Sequence, residues 1–465
     1  MAALFRVICG FRTIHMSQKT KKGRTKMKKL LAITLSLCMI LSLCTVFASA
    51  EEKVEVNIIH YFIEDSGETM NDVYLELEAK FLEEYAVSHP NVKFNISRIQ
   101  QAQAEEKLQT MAASGTLPDV FPLKGSLVNN YYANGLVYDM TEFAEASEGW
   151  DTVKESLVGT FTRDGKILGI PYQFAATSIV FYNEEMWKEI GYDSFPTSWE
   201  EIQKAADLFA EKGITCISMG NAKQWNFESC WFSTFADRFT GTEWTQNIIA
   251  QNGKASFTDP EFIEALTQFQ KQIVGTNLLN PDFNAIANDI SDSMYLEGEA
   301  AATVEGYWFV GKVQNLATEE VYKNTKIAML PDFEGQKGES LTSSGGAGYS
   351  LAMNSNLTGE AARAAADYIL GIAGKPYSDK YYSEYGTPGA FKYEGELDTS
   401  KFDQITLDYL AFCNNTTFVP IYDTSMDGSI ISVMNPDIQE LTNGTLTPEK
   451  MAEDCQKALD LLIAG

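Results

Sequence analysis

Residues 54–59, VEVNII, alternate apolar and polar side chains and then run apolar, as a strand does when it enters a core. Between residues 71 and 85 the period changes. Val73, Leu77, Phe81 and Tyr85 recur every fourth position, which predicts an amphipathic helix. Pro90 breaks it, Val92, Phe94 and Ile96 predict a second strand, and 102–113 a second helix ending at Ser114-Gly115. A short third strand is expected over 116–121. This strand and helix order predicts a mostly parallel sheet flanked by helices.

The pattern continues with a strand over 178–182, after which Asn183 stands at a helix N-cap position and Gly191 marks the helix end. Thr197 and Glu200 then fit a capping box that opens another helix. Residues 214–218 predict a strand, followed by the polar turn 220–226 that holds Trp225. Near the C-terminus Gly444 ends one helix, and Thr447 caps the next with Pro448 at its first position. Met451, Cys455, Ala458 and Leu462 form the buried face of that last helix. Beyond residue 50 there is no internal repeat and no low-complexity tract.

Four segments resemble, in order, the extracellular solute-binding proteins of sugar ABC importers, the maltose-binding protein class. They are Gly115-x-x-Pro118-Asp119-Val120; Tyr182-Asn183 followed by Pro196-Thr197-Ser198-Trp199-Glu200; Gly298 to Ala302 with Gly306-x-Trp308; and Gly345-Gly346 before the Ala-rich stretch 361–366. Ala302 replaces the family's methionine, and Pro122 departs from the aromatic or charged residue common there. The resemblance spans about residues 53–462. It implies an α/β, two-lobed, periplasmic-binding-protein-like fold of type II, with discontinuous lobes joined by hinge crossovers. The N-terminal lobe is expected over 51–174 and 346–384, the C-terminal lobe over 175–345 and 385–465. It also implies a monomer that captures a sugar or oligosaccharide and delivers it to ABC permease subunits, without a cofactor and without catalysis.

Charge and composition narrow the alternatives. The first 50 residues carry nine Lys or Arg and no acid, so the rest holds 27 basic against 63 acidic side chains. So acidic a surface repels nucleic acid and anionic membrane. Met27-Lys28-Lys29, an apolar run and Ala48-Ser49-Ala50 form an export signal, with translation starting at Met1, Met16 or Met27. A membrane anchor, or lipidation at Cys44 in a lipobox-like Leu-Ser-Leu-Cys, stays open beside cleavage after Ala50. Export implies an extracytoplasmic location. Cys216, Cys230, Cys413 and Cys455 match no metal motif, and one disulfide among them is open. His60 and His89 are the histidines beyond residue 50, too few for most His-based catalysis. Two rivals share these features: a secreted hydrolase using paired carboxylates, and a same-fold protein for a polyol phosphate or polyamine. No Gly-x-x-x-x-Gly-Lys-Ser/Thr loop is present.

Sugar recognition needs flat aromatic faces and fixed polar groups. Trp308 is the first candidate, by its position in the family pattern. Trp225 and Asn226 follow, because a large aromatic in a polar turn marks a contact surface or a loop anchor. Tyr61 and Glu64 lie beyond the first strand, and Lys124 and Gly125 beyond the third, where parallel strands open on a crevice. Thr177, Gly345 and Gly346 sit at the expected lobe junction. Tyr182, Asn183 and Asp119 read as core, cap and turn.

Overall fold

The computed structural model describes residues 53–63 and 69–464. The export signal, Cys44 and Glu64 lie outside the described residues. The chain opens with β1 (Val54–His60), β2 (Val92–Arg98) and β3 (Val120–Lys124). Next, β4 (Thr162–Arg163) pairs with β5 (Lys166–Ile167) across Asp164-Gly165. Both turn residues have positive φ, 52° and 75°, as a primed hairpin turn requires. Then come β6 (Ile170–Pro171), β7 (Ala175–Ala176), β8 (Ile179–Asn183), β9 (Thr215–Ser218) and β10 (Ala300–Glu305). The remaining strands are β11 (Thr325–Met329), β12 (Thr342–Gly346), β13 (Tyr349–Met353) and β14 (Thr417–Val419).

One sheet has the order β2-β1-β3-β13-β6, a second β11-β8-β10-β9, and a third β14-β12-β7. The first joins β1 to β2 and β3 in parallel, but β13 runs antiparallel to both β3 and β6. Four of the five strands, β6 included, thus share one direction as expected, and β13 alone runs the other way between β3 and β6. Helices Thr69–Ser88 and Gly359–Ala373 cover it, and Val56, Ile58, Phe121, Leu351 and Ile369 fill the space between. The third strand begins at Val120 rather than Thr116. Residues 117–119 are held as a turn: the Asp119 carboxylate accepts from the backbone N–H of Asn57 at 2.7 Å and from its Nδ2 at 3.1 Å, and the Leu117 carbonyl accepts from Asn354.

The second sheet packs on a separate aromatic core that includes Trp187, Trp199, Trp231, Phe209 and Phe269. Asn183 caps the Glu184–Glu189 helix, accepting from the Met186 N–H at 3.3 Å. The cap of the Trp199–Glu211 helix is Ser198, which accepts from Glu201, and not Thr197. Thr447 accepts from the Lys450 N–H at 3.2 Å at the start of the last helix.

The third sheet lies where the chain crosses between the other two. β7 falls between β6 and β8, and β12 between β11 and β13. Buried hydroxyls knit these crossings. The Thr177 N–H donates to the Ser344 carbonyl at 2.8 Å, Ser343 Oγ to the Thr177 carbonyl at 2.7 Å, and Thr234 Oγ1 to Ser178 Oγ at 2.7 Å. Ser178 has φ +59°, so the chain turns there before β8 instead of extending the strand. Buried Arg238 pins β12 through the carbonyl of Thr342 at 3.0 Å and the carboxylate of Asp332 at 3.0 Å.

Candidate functional site

Strand β10 is buried throughout and ends in its one charged residue, Glu305. Its carboxyl accepts from Asn226 Nδ2 at 2.9 Å and from the indole Nε1 of Trp308 at 3.0 Å. One group thus ties the 220–226 turn to the segment beyond β10. Trp225 and Trp308 meet edge to face, with ring centroids 5.9 Å apart. Gly306 is obligatory here, because a Cβ on it would lie 2.2 Å from Trp308 Cζ3. Both indoles are only partly buried, and Trp308 packs against both hydrophobic cores.

Behind the pair, Asp292 holds Lys312 Nζ at 2.9 Å and faces the Glu305 carboxyl. Burial pushes the Glu305 carboxyl up to about 8, Asp292 adds to the rise, and Lys312, Asn226 and Trp308 oppose it. Burial also raises Asp292, against the pull of Lys312. The neutral form of the Glu305 carboxyl is thereby favoured at neutral pH.

A second polar group joins the first sheet to the short helix Tyr422–Ser425. Lys124 Nζ lies 2.7 Å from Asp423 Oδ2, and both side chains are mostly buried. Burial disfavours the Lys124 charge, but Asp423, with Glu105 and Glu228, more than offsets this and holds its pKa above the ordinary lysine value. Gly125 allows the contact, since a Cβ there would lie 2.2 Å from the Thr424 carbonyl oxygen. Glu228 is buried beneath, accepting from Ser233 Oγ at 2.5 Å, and burial raises it to about 8 with help from Asp423.

Of the residues expected from sequence, Trp225, Asn226 and Trp308 come together in one constellation. Lys124 and Gly125 instead engage the 422–425 helix. Tyr61 is buried, its hydroxyl against that of Tyr172 and its ring edge-on to Tyr349 at 5.5 Å. Thr177 spends its hydroxyl on the Ser229 carbonyl at 2.7 Å. Gly345 pairs with Ala176 and makes room for Phe418 and Phe174, whose rings would stand 2.5 and 2.9 Å from a Cβ. Gly346 pairs with Ala175 and has open space where a Cβ would stand. Sequence reasoning did not reach Glu305, Asp292, Glu228 or Asp423. None of the four left a signal in the sequence, because only burial beside partners from distant segments sets them apart.

Among the described residues no group of three or more His, Cys, Asp or Glu could hold a metal ion, and no helix is long and apolar enough to cross a membrane. The four described cysteines are free thiols.

Two cores, the two crossing strands β7 and β12, and an indole packed against both cores define a two-lobed binding protein. Residues 67–376 match the family of bacterial extracellular solute-binding proteins, and the chain belongs to that family. A probable sugar-binding periplasmic protein of Brucella suis is 21% identical over 302 residues, covering 62% of this chain and 65% of the relative. The chain thus spans just under two thirds of that relative's length. Among solved structures, a chitin oligosaccharide binding protein superposes with a TM-score of 0.77 at 21% identity, over 89% of this chain and 100% of the other. A maltose-bound MalE3 of T. maritima gives 0.69 at 18%, over 88% and 100%. At these identities the likeness establishes the fold.

Proposed function

We propose that this chain captures a carbohydrate between its lobes outside the cytoplasm and hands it to the permease subunits of an ABC importer, catalysing no reaction. The observation that carries this reading is the Trp225–Trp308 pair, oriented by the Glu305 carboxyl and touching both cores. Aromatic faces stack on the C–H faces of a pyranose, and the polar groups beside them suit hydroxyls. The sugar-binding names of the relatives and the ligands of the neighbouring structures support the same class. In this reading the lobes comprise 51–174 with 346–384 and 175–345 with 385–465, and the protein works as a monomer. Export proceeds through the N-terminal signal, with Cys44 as the alternative lipid anchor.

Calorimetric titration with a panel of mono- and oligosaccharides, polyols and polyamines tests the reading. Saturable binding of at least one saccharide, with no new reducing ends released on incubation, is the expected result. Binding confined to polyamines or polyol phosphates, or hydrolysis of a bound oligosaccharide, would overturn it.

A further inference from the structure

Beside Trp308 lies a cavity of about 220 Å³ between three segments that are distant in sequence. The segment after β10 supplies Trp308 and Gln314, the end of the Lys375–Tyr385 helix Tyr381 and Tyr385, and the start of the Gln404–Asn415 helix Phe402 and Asp403. Its size is below the roughly 300–1,000 Å³ of sites for drug-sized ligands and suits one small ring. Its lining mixes aromatic rings with polar and charged groups, Glu384 and Lys401 among them, and one polar edge is rigid. Gln314 Nε2 donates to Asp403 Oδ2 at 3.0 Å and to Thr406 Oγ1 at 3.0 Å, and Tyr322 OH donates to Asp403 at 2.8 Å. Although burial opposes it, hydrogen bonds from Thr406, Tyr322 and Gln314 hold the Asp403 carboxyl below the usual range, so it stays an ionised acceptor. Gly386, with φ +69°, ends the Lys375–Tyr385 helix, and a Cβ there would lie 2.6 Å from the Thr406 methyl. The third wall therefore closes against the second only because that position is glycine.

We propose that this cavity is a subsite for one pyranose ring, continuous with the Trp225–Trp308 platform through the shared indole of Trp308. The inference rests on the carbohydrate reading above and sharpens it: the ligand has at least two linked rings, one against the indole pair and one among Tyr381, Tyr385 and Phe402. Asp403, already fixed by three donors, offers its remaining acceptor capacity to ring hydroxyls at no reorganisation cost.

The test uses glucose and N-acetylglucosamine oligomers of one to four units with the wild type, Tyr385→Leu and Gln314→Ala. Leucine keeps apolar bulk while removing the aromatic face, and alanine removes only the polar brace. In the wild type, affinity should rise between one and two units of the series that binds. Each variant should lose about threefold to tenfold for two units and longer, with single-unit affinity unchanged. A flat dependence on length, an equal loss at every length, or no loss at any would overturn the subsite while leaving the carbohydrate reading intact. Failure of the wild type to bind any member of either series, or any other saccharide, would overturn both.

Discussion

Glu305 combines two tasks that pull its environment in opposite directions. As an acceptor it orients Asn226 and Trp308, yet full burial beside Asp292 favours its neutral form. Glu228 is in the same position beside Asp423. A carboxyl raised in the folded state binds a proton that the unfolded chain has released, so its stabilisation is complete below the unfolded value near 4.5. It is lost as pH rises toward about 8. Melting temperature should therefore fall across that window, and Glu305→Gln, which cannot ionise, should flatten the slope. Parallel profiles for the two proteins would remove Glu305 as a contributor. Trp308→Ala should weaken saccharide binding by about 2 kcal/mol, measured by calorimetry, with the fold retained. Trp308 and Trp225 were legible in the sequence because a family pattern and a polar turn marked them. Their orienting acid was not, since its partners come from three separate segments and burial alone makes it unusual.

Among helices, the region around residues 196–200 offers a sharp comparison. Ser198, not Thr197, accepts the N–H of Glu201. Ser198→Ala should cost about 1 kcal/mol in urea unfolding, and Thr197→Ala markedly less. The reverse order would restore Thr197 as the cap. Most elements were legible, because capping chemistry and apolar period are local: Asn183, Gly115 and Thr447 occupy the positions their types suggest. What was not legible depends on distant partners. Val120 begins β3 because Asn57 and Asn354 claim the residues before it, and β13 lies antiparallel because of the path the chain takes through the second sheet. No spacing within either segment encodes those facts.

For the whole molecule, the crossing strands and the Lys124–Asp423 pair tie together segments far apart in the chain. Removing one member of a buried pair strands the other charge, typically at about 3–5 kcal/mol, whereas replacing both costs less. Asp423→Leu should thus destabilise the protein more than Lys124→Met with Asp423→Leu in a denaturant series; additive losses would show that the pair does not couple. Scattering should record a smaller radius of gyration once a saccharide saturates the protein, since a ligand that touches both lobes favours the closed arrangement. Unchanged dimensions at saturation would argue against hinge closure. The fold class was open to sequence because four motifs appear in family order, while the Lys124–Asp423 ion pair was not, as 299 positions separate its members. The four unpaired thiols carry a practical consequence. Cys216, Cys230 and Cys455 are buried, and burial pushes Cys413 up to about 11, so each is a poor nucleophile at neutral pH. In a chain starting at Glu51, a cysteine introduced on the rim of either lobe would be the one fast-reacting site. A single environment-sensitive dye attached there would turn the protein into an optical reporter of its own solute, needing neither an oxidant to fold nor removal of native cysteines.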